Sequence, residues 1–280
     1  MSDTSFYLIF TDLDGTLLDH DTYSWKEAEP AFDLCKRLRV PVILVSSKTS
    51  SEIDLIRRRL SLSYPFISEN GGGIFFPEEI IKSLPDGILP EKGLWKWPLG
   101  IAYDHLIGVL RQIRNELGWN IRGFSDMTIE EISSLTGLDY DSSCLAANRD
   151  FDEPFIVLDQ KSLDRKTLFK SAERRGLTIT EGGRFFHLKG KSDKGLAMKR
   201  VVSWYQQLYG KVFTIALGDS PNDFSMLERA DYPVLIRSAC NYPGLKTNIP
   251  RLIETHETGP RGWNETITDI LGMKKERNNV

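Results

Sequence analysis

The 280-residue sequence predicts an α/β protein: a doubly wound parallel sheet with a smaller α+β domain inserted into it. Three observations carry that prediction. Short apolar runs alternate with segments of helical apolar spacing, as in parallel strands joined by crossover helices. Two of those runs, residues 6–10 and 212–217, end in acidic side chains, and ligands of open α/β sheets collect beyond the carboxyl ends of the strands. The alternation breaks between Pro77 and Pro98, where Pro and Gly become frequent, a composition that suggests the hinge region into an inserted domain, and a helix–strand rhythm leading back to the first domain resumes near residue 190.

Taken in order, residues 6–10 form the first strand, and residues 25–38 place Ala28, Phe32, Cys35 and Leu38 on one helix face. Residues 40–45 are a continuous apolar strand that ends in Ser46-Ser47-Lys48-Thr49. Ser50 or Ser51 can cap the next helix, with Glu52 and Asp54 in its first turn and Ile53, Leu55, Ile56 and Leu60 on its apolar side. Residues 65–68 are a short strand, and Glu69-Asn70-Gly71-Gly72-Gly73 turns the chain into a hairpin arm at 74–76. The insert reads as helix 103–117, strand 121–124, short helices within 128–136 and 141–148, strand 154–158, helix 161–175 and strands 177–180 and 184–188. The first domain resumes with helix 194–209, strand 212–217, helix 222–229 and strand 232–236. A final helix covers 263–271, and the polar tail 274–280 is expected to be mobile. The expected division is therefore 1–83 and 190–280 for the core and 84–189 for the insert.

Apolar content of 40% and charged content of 27% are those of an ordinary globular protein. A net charge of −3 offers no electrostatic case for nucleic acid. No apolar run approaches the roughly 20 residues that span a bilayer, and the N-terminus lacks a signal-peptide core, so neither a membrane nor export is expected. Cys35, Cys144 and Cys240 are scattered without metal or redox spacing, which fits free thiols in the cytoplasm. Oligomeric state is left open.

The chemistry concentrates at strand ends. Asp12 and Asp14 follow the first strand one residue apart, and Gly15-Thr16 turn the backbone back toward them. Two such carboxylates repel unless a cation sits between them, and Mg²⁺ prefers carboxylate, carbonyl and water oxygens. A bare polar turn is the plainer reading of Asp-x-Asp alone. Gly218-Asp219-Ser220-Pro221-Asn222-Asp223 after residues 212–217, and the hydroxyls and Lys48 after residues 40–45, complete a set suited to a phosphate monoester.

In order along the chain, Asp12-Leu13-Asp14-Gly15-Thr16, Ser46, Lys194 and Gly218-Asp219-Ser220-Pro221-Asn222-Asp223 resemble the four motifs of the haloacid-dehalogenase-like (HAD) phosphatases. Ser46-Ser47-Lys48-Thr49, Glu69-Asn70-Gly71-Gly72, residues 182–187 and residues 259–263 narrow the resemblance to the mannosyl-3-phosphoglycerate phosphatases, over nearly the whole chain. The resemblance implies a Rossmann-like core with an inserted cap, Mg²⁺ as cofactor, and a small phosphorylated glycoside as substrate. It implies Asp12 as nucleophile and Asp14 as acid and then base. Metal would be held by Asp12, the Asp14 backbone carbonyl and Asp219, and phosphate by Ser46 and Lys194, with Asn222 and Asp223 supporting. Ser47 competes with Ser46 for the hydroxyl role, and Lys189 and Lys191 compete with Lys194. Asn222 can cap a helix as well as touch ligand.

A glycerate carboxylate calls for a cation. Arg184 and Arg149 are candidates for that role, with His187 near Arg184, and Lys48 and Asn70 are substrate-binding candidates because both follow strands of the core sheet at its ligand-binding edge. Strand alternation puts Arg184 and His187 on opposite faces, so both serve one cleft only if the strand bends at Gly182-Gly183. A packed histidine and a surface ion pair of Arg149 with Asp150 or Asp152 are the structural alternatives. The glucosyl epimer or a wider set of sugar phosphates is the nearest alternative substrate. A non-catalytic phosphometabolite-binding protein is the alternative of another class, and the intact Asp12 and Asp14 weigh against it.

Overall fold

The structure, a computed structural model, describes residues 6–79, 84–158, 164–182 and 184–277. Strand β1 (Phe6–Thr11) leads through a short 3-10 turn at Lys26–Ala28 into helix α1 (Glu29–Leu38). Pro30 explains why the helix expected from residue 25 divides there: it has no N–H to give and is tolerated only in the first turn. Then come β2 (Val42–Leu44), α2 (Ser50–Arg59), β3 (Phe66–Ser68) and β4 (Gly73–Pro77). The cap of α2 is Thr49 rather than Ser50 or Ser51. Its hydroxyl accepts the Glu52 N–H at 3.2 Å while Glu52 accepts the Thr49 N–H at 2.8 Å.

A hairpin, β5 (Leu89–Glu91) and β6 (Leu94–Pro98), occupies the stretch that composition suggested was a hinge. Its turn residues Lys92 and Gly93 have φ of 37° and 83°, the paired positive values whose twist matches that of the strands. Strand β6 pairs with β4, giving an antiparallel sheet in the order β3-β4-β6-β5, and a bridge from Val45 to Ile67 ties β3 to the core beside β2. Residues 89–98, expected in the insert, thus pair with the hairpin arm of the core.

The insert continues with α3 (Tyr103–Leu117), β7 (Ile121–Gly123), α4 (Ile129–Thr136), α5 (Tyr140–Ala147), β8 (Asp152–Val157), α6 (Arg165–Glu173), β9 (Thr178–Gly182) and β10 (Phe185–Lys189). Its antiparallel sheet runs β7-β8-β10-β9. Leu106, Leu110 and Ile113 of α3 and Leu168 of α6 bury against Phe155 and Leu188 of that sheet. Helix α6 begins after Asp164, whose side chain accepts the Lys166 N–H at 3.0 Å. Residues 161–163, expected in this helix, lie outside the described residues.

The core closes with α7 (Lys194–Tyr209), β11 (Val212–Gly218), α8 (Phe224–Leu227), β12 (Tyr232–Arg237), α9 (Leu245–Asn248), β13 (Ile253–Thr258) and α10 (Gly259–Arg277). Its five-stranded sheet is parallel throughout, in the order β13-β12-β11-β1-β2. Period-2 alternation along β1 sends Leu8 and Phe10 to a core with Ala197, Val201 and Trp204 of α7, and Ile9 to one with Phe32 of α1 and Trp263 of α10. That double coverage is the predicted doubly wound fold. Trp263 stacks on Phe32 at 4.9 Å, and its indole N–H donates to the Thr11 hydroxyl at 3.1 Å, just before the Asp12 motif. Helix α10 carries the backbone on through Arg277, so most of the tail expected to be mobile is helical; residues 278–280 lie outside the described residues. Among the described residues, no helix is long and apolar enough to cross a membrane.

Candidate active site

Strands β1, β2 and β11 are neighbours in the sheet and run parallel, so their carboxyl ends deliver Asp12, Ser46 and Asp219 to one edge. Helix α7 brings in Lys194 from its first turn. Asp193 accepts the Leu196 N–H at 2.8 Å as the helix cap, and Lys194 is wholly buried beside it. The Lys194 ammonium donates to Asp12 Oδ1 at 2.5 Å and to Asp223 Oδ1 at 2.6 Å. Asp223 Oδ2 accepts the backbone N–H groups of Asp219 and Ser220 at 3.0 and 3.1 Å, and so shapes the loop that carries Asp219.

Four carboxylates (Asp12, Asp14, Asp219 and Asp223) face two ammonium groups here, Lys194 and Lys48, the latter 2.9 Å from Asp14. The surplus is negative, and its effect is visible in the acids. Burial pushes Asp12 up to about 8, opposed by Lys194 and reinforced by Asp223 and Asp14. Burial, with the Asp223 charge, also raises Asp219. For Lys194, burial works against the charge, but Asp12 and Asp223 outweigh it and hold the ammonium above its usual range.

A divalent cation fits this set. Asp12, Asp219 and Asp223 offer carboxylate oxygens that all lie within 4.8 Å of one another. Asp14 Oδ1 and Asp219 Oδ1 are buried without a hydrogen-bond partner among the described residues. Gly15, at φ +74°, leaves a space in which a Cβ would lie 2.8 Å from Asp219 Oδ2. The side-chain cluster includes Asp223, expected as a supporting residue, while the Asp14 side chain is turned to Lys48.

Ser46 is buried at the end of β2, where its hydroxyl accepts the Lys48 N–H at 3.2 Å. Ser47, the alternative, uses its carbonyl to accept Arg149 Nη1 at 3.2 Å. Asn70, in the left-handed region at φ 54°, accepts Asn222 Nδ2 at 3.1 Å, which links the turn after β3 to the Asp219 loop. The remaining candidates are engaged with protein groups. Arg149 is buried against the Ala146 and Ser47 carbonyls, with Glu69 at 3.7 Å and Asp152 at 4.0 Å. His187 Nδ1 lies 2.9 Å from Asp152. Arg184 is exposed before β10 and donates to the Leu135 carbonyl at 2.7 Å.

Two residues escaped the sequence reading. Glu69 is fully buried and accepts the Asp150 and Phe151 N–H groups of the insert at 3.1 and 2.6 Å. In sequence it reads as one more polar turn residue. Tyr23 is half exposed at φ 54°, its ring centre 5.6 Å from the Lys48 ammonium. Its signal, an aromatic residue in a polar loop, is too common to single out.

The haloacid dehalogenase-like hydrolase family profile matches residues 9–85 and 143–256. A glucosyl-3-phosphoglycerate/mannosyl-3-phosphoglycerate phosphatase of Persephonella marina is 43% identical over 266 residues, covering 94% of this chain and 97% of that one. One so described from Methanococcoides burtonii is 40% identical over 276 residues, covering 98% and 99%. A solved Thermoplasma acidophilum structure shares the fold at a TM-score of 0.66 with 17% identity, covering 96% of this chain and 99% of that one. A haloacid dehalogenase-like hydrolase from B. subtilis does so at 0.62 with 21% identity, covering 95% and 98%. The chain is a phosphatase that belongs to the haloacid dehalogenase-like hydrolases and, within them, to the family of the glucosyl-3-phosphoglycerate/mannosyl-3-phosphoglycerate phosphatases.

Proposed function

We propose that this chain hydrolyses mannosyl-3-phosphoglycerate, and its glucosyl epimer beside it, in a Mg²⁺-dependent reaction through an aspartyl-phosphate at Asp12. The observation that carries the reading is the buried Asp12–Lys194–Asp223 set at 2.5 and 2.6 Å, inside a cluster with surplus negative charge. The relatives' descriptions supply the substrate and name both epimers, so the proposal covers both.

Asp12, Asp219 and Asp223, with the Asp14 backbone carbonyl, would hold Mg²⁺, which when bound neutralises the phosphoryl charge that a carboxylate nucleophile must approach. A carboxylate oxygen of Asp12 attacks phosphorus, the bond from phosphorus to the glycerate oxygen breaks, and Asp14 gives that oxygen its proton. Asp14, now ionised, takes a proton from water. The water oxygen attacks phosphorus and returns Asp12 with release of phosphate. Lys194 keeps a fixed positive charge at the reacting carboxylate, and Ser46 directs its O–H to a phosphoryl oxygen. Lys48 and Asn70 stand where the glycerate carboxylate emerges. A cytoplasmic setting with free Cys35, Cys144 and Cys240 belongs to the same proposal.

The test is phosphate release from both glycosyl-3-phosphoglycerates and a panel of ordinary sugar phosphates, with Mg²⁺ and with chelator. The expected result is a strong preference for the glycosyl-3-phosphoglycerates, lost with chelator and restored by Mg²⁺. Turnover confined to other sugar phosphates, or unaffected by chelator, would overturn the substrate or the cofactor respectively.

A further inference from the structure

The acid that protonates the leaving oxygen must touch it, so the organic half of the substrate extends outward from Asp14. Lys48 is the residue bonded to Asp14 on that side, at 2.9 Å, and it also lines a cavity of about 370 Å³ between core and insert. The core contributes Tyr23 and Trp25 to its wall, and the insert contributes Leu138, Asp139 and Ser142 around the start of α5. An apolar and aromatic wall carrying a few polar groups is the usual make-up of a small-molecule site.

Tyr23 is the feature of this wall that packing does not explain. A large side chain at φ 54° is a genuine backbone outlier, and this one is 52% exposed, so burial does not compensate for it. The loop around it enforces the conformation. Asp19 accepts the Thr22 N–H at 2.9 Å and the Thr22 hydroxyl at 2.7 Å through its side chain, and the Tyr23 N–H at 3.0 Å through its carbonyl. The Asp19 N–H in turn donates to the Ser24 carbonyl at 3.0 Å, closing the loop. Strain held in place by surrounding bonds concentrates at ligand-contacting positions. Here it puts an aromatic face 5.6 Å from the Lys48 ammonium, both groups lining the cavity.

We propose that Tyr23 is the platform for the sugar ring of the leaving group, which lies in this cavity with the glycerate carboxylate at Lys48. The ring's apolar face rests on the phenol, and its hydroxyls reach Asp139 and Ser142 of the insert. Selection for a glycosylated leaving group is then exercised partly by a core loop next to the nucleophile. This assignment rests on the proposed substrate class.

The experiment compares kcat/KM for wild type, Tyr23→Ala, Tyr23→Phe and Tyr23→Gly on three phosphates. These are mannosyl-3-phosphoglycerate, 3-phosphoglycerate (same phosphate and carboxylate, no sugar) and a simple aryl phosphate. Tyr23→Ala is expected to lose about three- to tenfold on the glycosyl compound, through KM, the scale of one aromatic contact, and to change little on the other two. Tyr23→Phe keeps the platform and the activity. Tyr23→Gly loses the preference while its Tm stays at or above wild type, because the strained backbone is relaxed. A wild-type preference for the glycosyl compound that survives Tyr23→Ala overturns this assignment and leaves the substrate reading standing. Equal losses on all three phosphates also overturn it. A wild type that hydrolyses the aryl phosphate but not the glycosyl compound overturns the substrate reading itself, and this assignment with it.

Discussion

Glu69 and Phe151 join the core to the insert: the Glu69 carboxylate accepts the Phe151 backbone N–H at 2.6 Å. The Asp150 N–H adds 3.1 Å contacts to both carboxylate oxygens, and Arg149 stands 3.7 Å away. Next to Glu69 the fit is so close that a Cβ on Gly72 would lie 2.5 Å from Phe151 Cβ. The turn that presents Asn70 to the Asp219 loop is therefore tied by hydrogen bonds to Asp150 and Phe151 of the insert.

Glu69 also predicts how stability responds to pH. Burial pushes its carboxyl up to about 8 from 4.5, against the pull of Arg149. A raised folded value means that the folded state holds the proton more tightly. Its contribution is complete below the unfolded value and is lost as pH rises through about 8. The Tm of wild type should fall between about pH 4.5 and about pH 8, and Glu69→Gln, which resembles the protonated acid, should fall less steeply. Identical slopes in thermal melts across that range would mean that Glu69 is ionised throughout.

Asp12→Asn should reduce kcat by about 10⁴-fold or more, the scale of removing a covalent nucleophile, on any phosphate the enzyme accepts. It should not reduce stability, because Lys194 keeps Asp223 as its partner and a desolvated anion has been removed. Activity against an aryl phosphate and a thermal melt check both halves, and substantial residual turnover would remove Asp12 from its role.

Lys194→Met should be the opposite case. It leaves Asp12 and Asp223 buried without their shared cation, a loss on the scale of about 3–5 kcal/mol. Adding Asp12→Asn to Lys194→Met should recover part of that loss, and a double-mutant cycle by denaturant unfolding reads the coupling. Strict additivity of the two changes would contradict the pairing.

What the sequence disclosed follows the range of each signal. Asp12, Asp14, Asp219 and Asp223 were legible because acids directly after apolar runs are unusual in themselves and sit within a few residues of the strand that carries them. The parallel sheet was legible from the alternation of those runs with helices. The hairpin at Leu89–Glu91 and Leu94–Pro98 was missed because its prolines and glycines were counted as hinge composition, although Lys92-Gly93 between short strands is itself a turn signal. Glu69 could not have been found locally: its partners are 81 and 82 residues away. The left-handed backbone at Tyr23 likewise comes from the closed bonding around Asp19, which residue type alone does not announce.

Gly71 offers the sharpest test of how the turn after β3 positions Lys194. It sits at φ +93°, and a Cβ there would lie 2.2 Å from the Asp193 carbonyl oxygen and 3.0 Å from the Lys194 nitrogen. Both neighbours are backbone, so no side-chain rotation relieves the clash. Either the turn or the start of α7 must move, and Asp193 and Lys194 are the cap and the first residue of that helix. Gly71→Ala should therefore cost about 2–4 kcal/mol, combining overpacking with the left-handed penalty. It should also lower kcat, because Lys194 no longer meets both carboxylates. Gly118→Ala at the end of α3 is the control: it shares the positive φ, at +65°, but its Cβ would meet nothing within 4 Å. That variant should lose about 1 kcal/mol and keep its kcat. If Gly71→Ala is no worse than Gly118→Ala in melting and turnover, the turn does not hold the start of α7 in place.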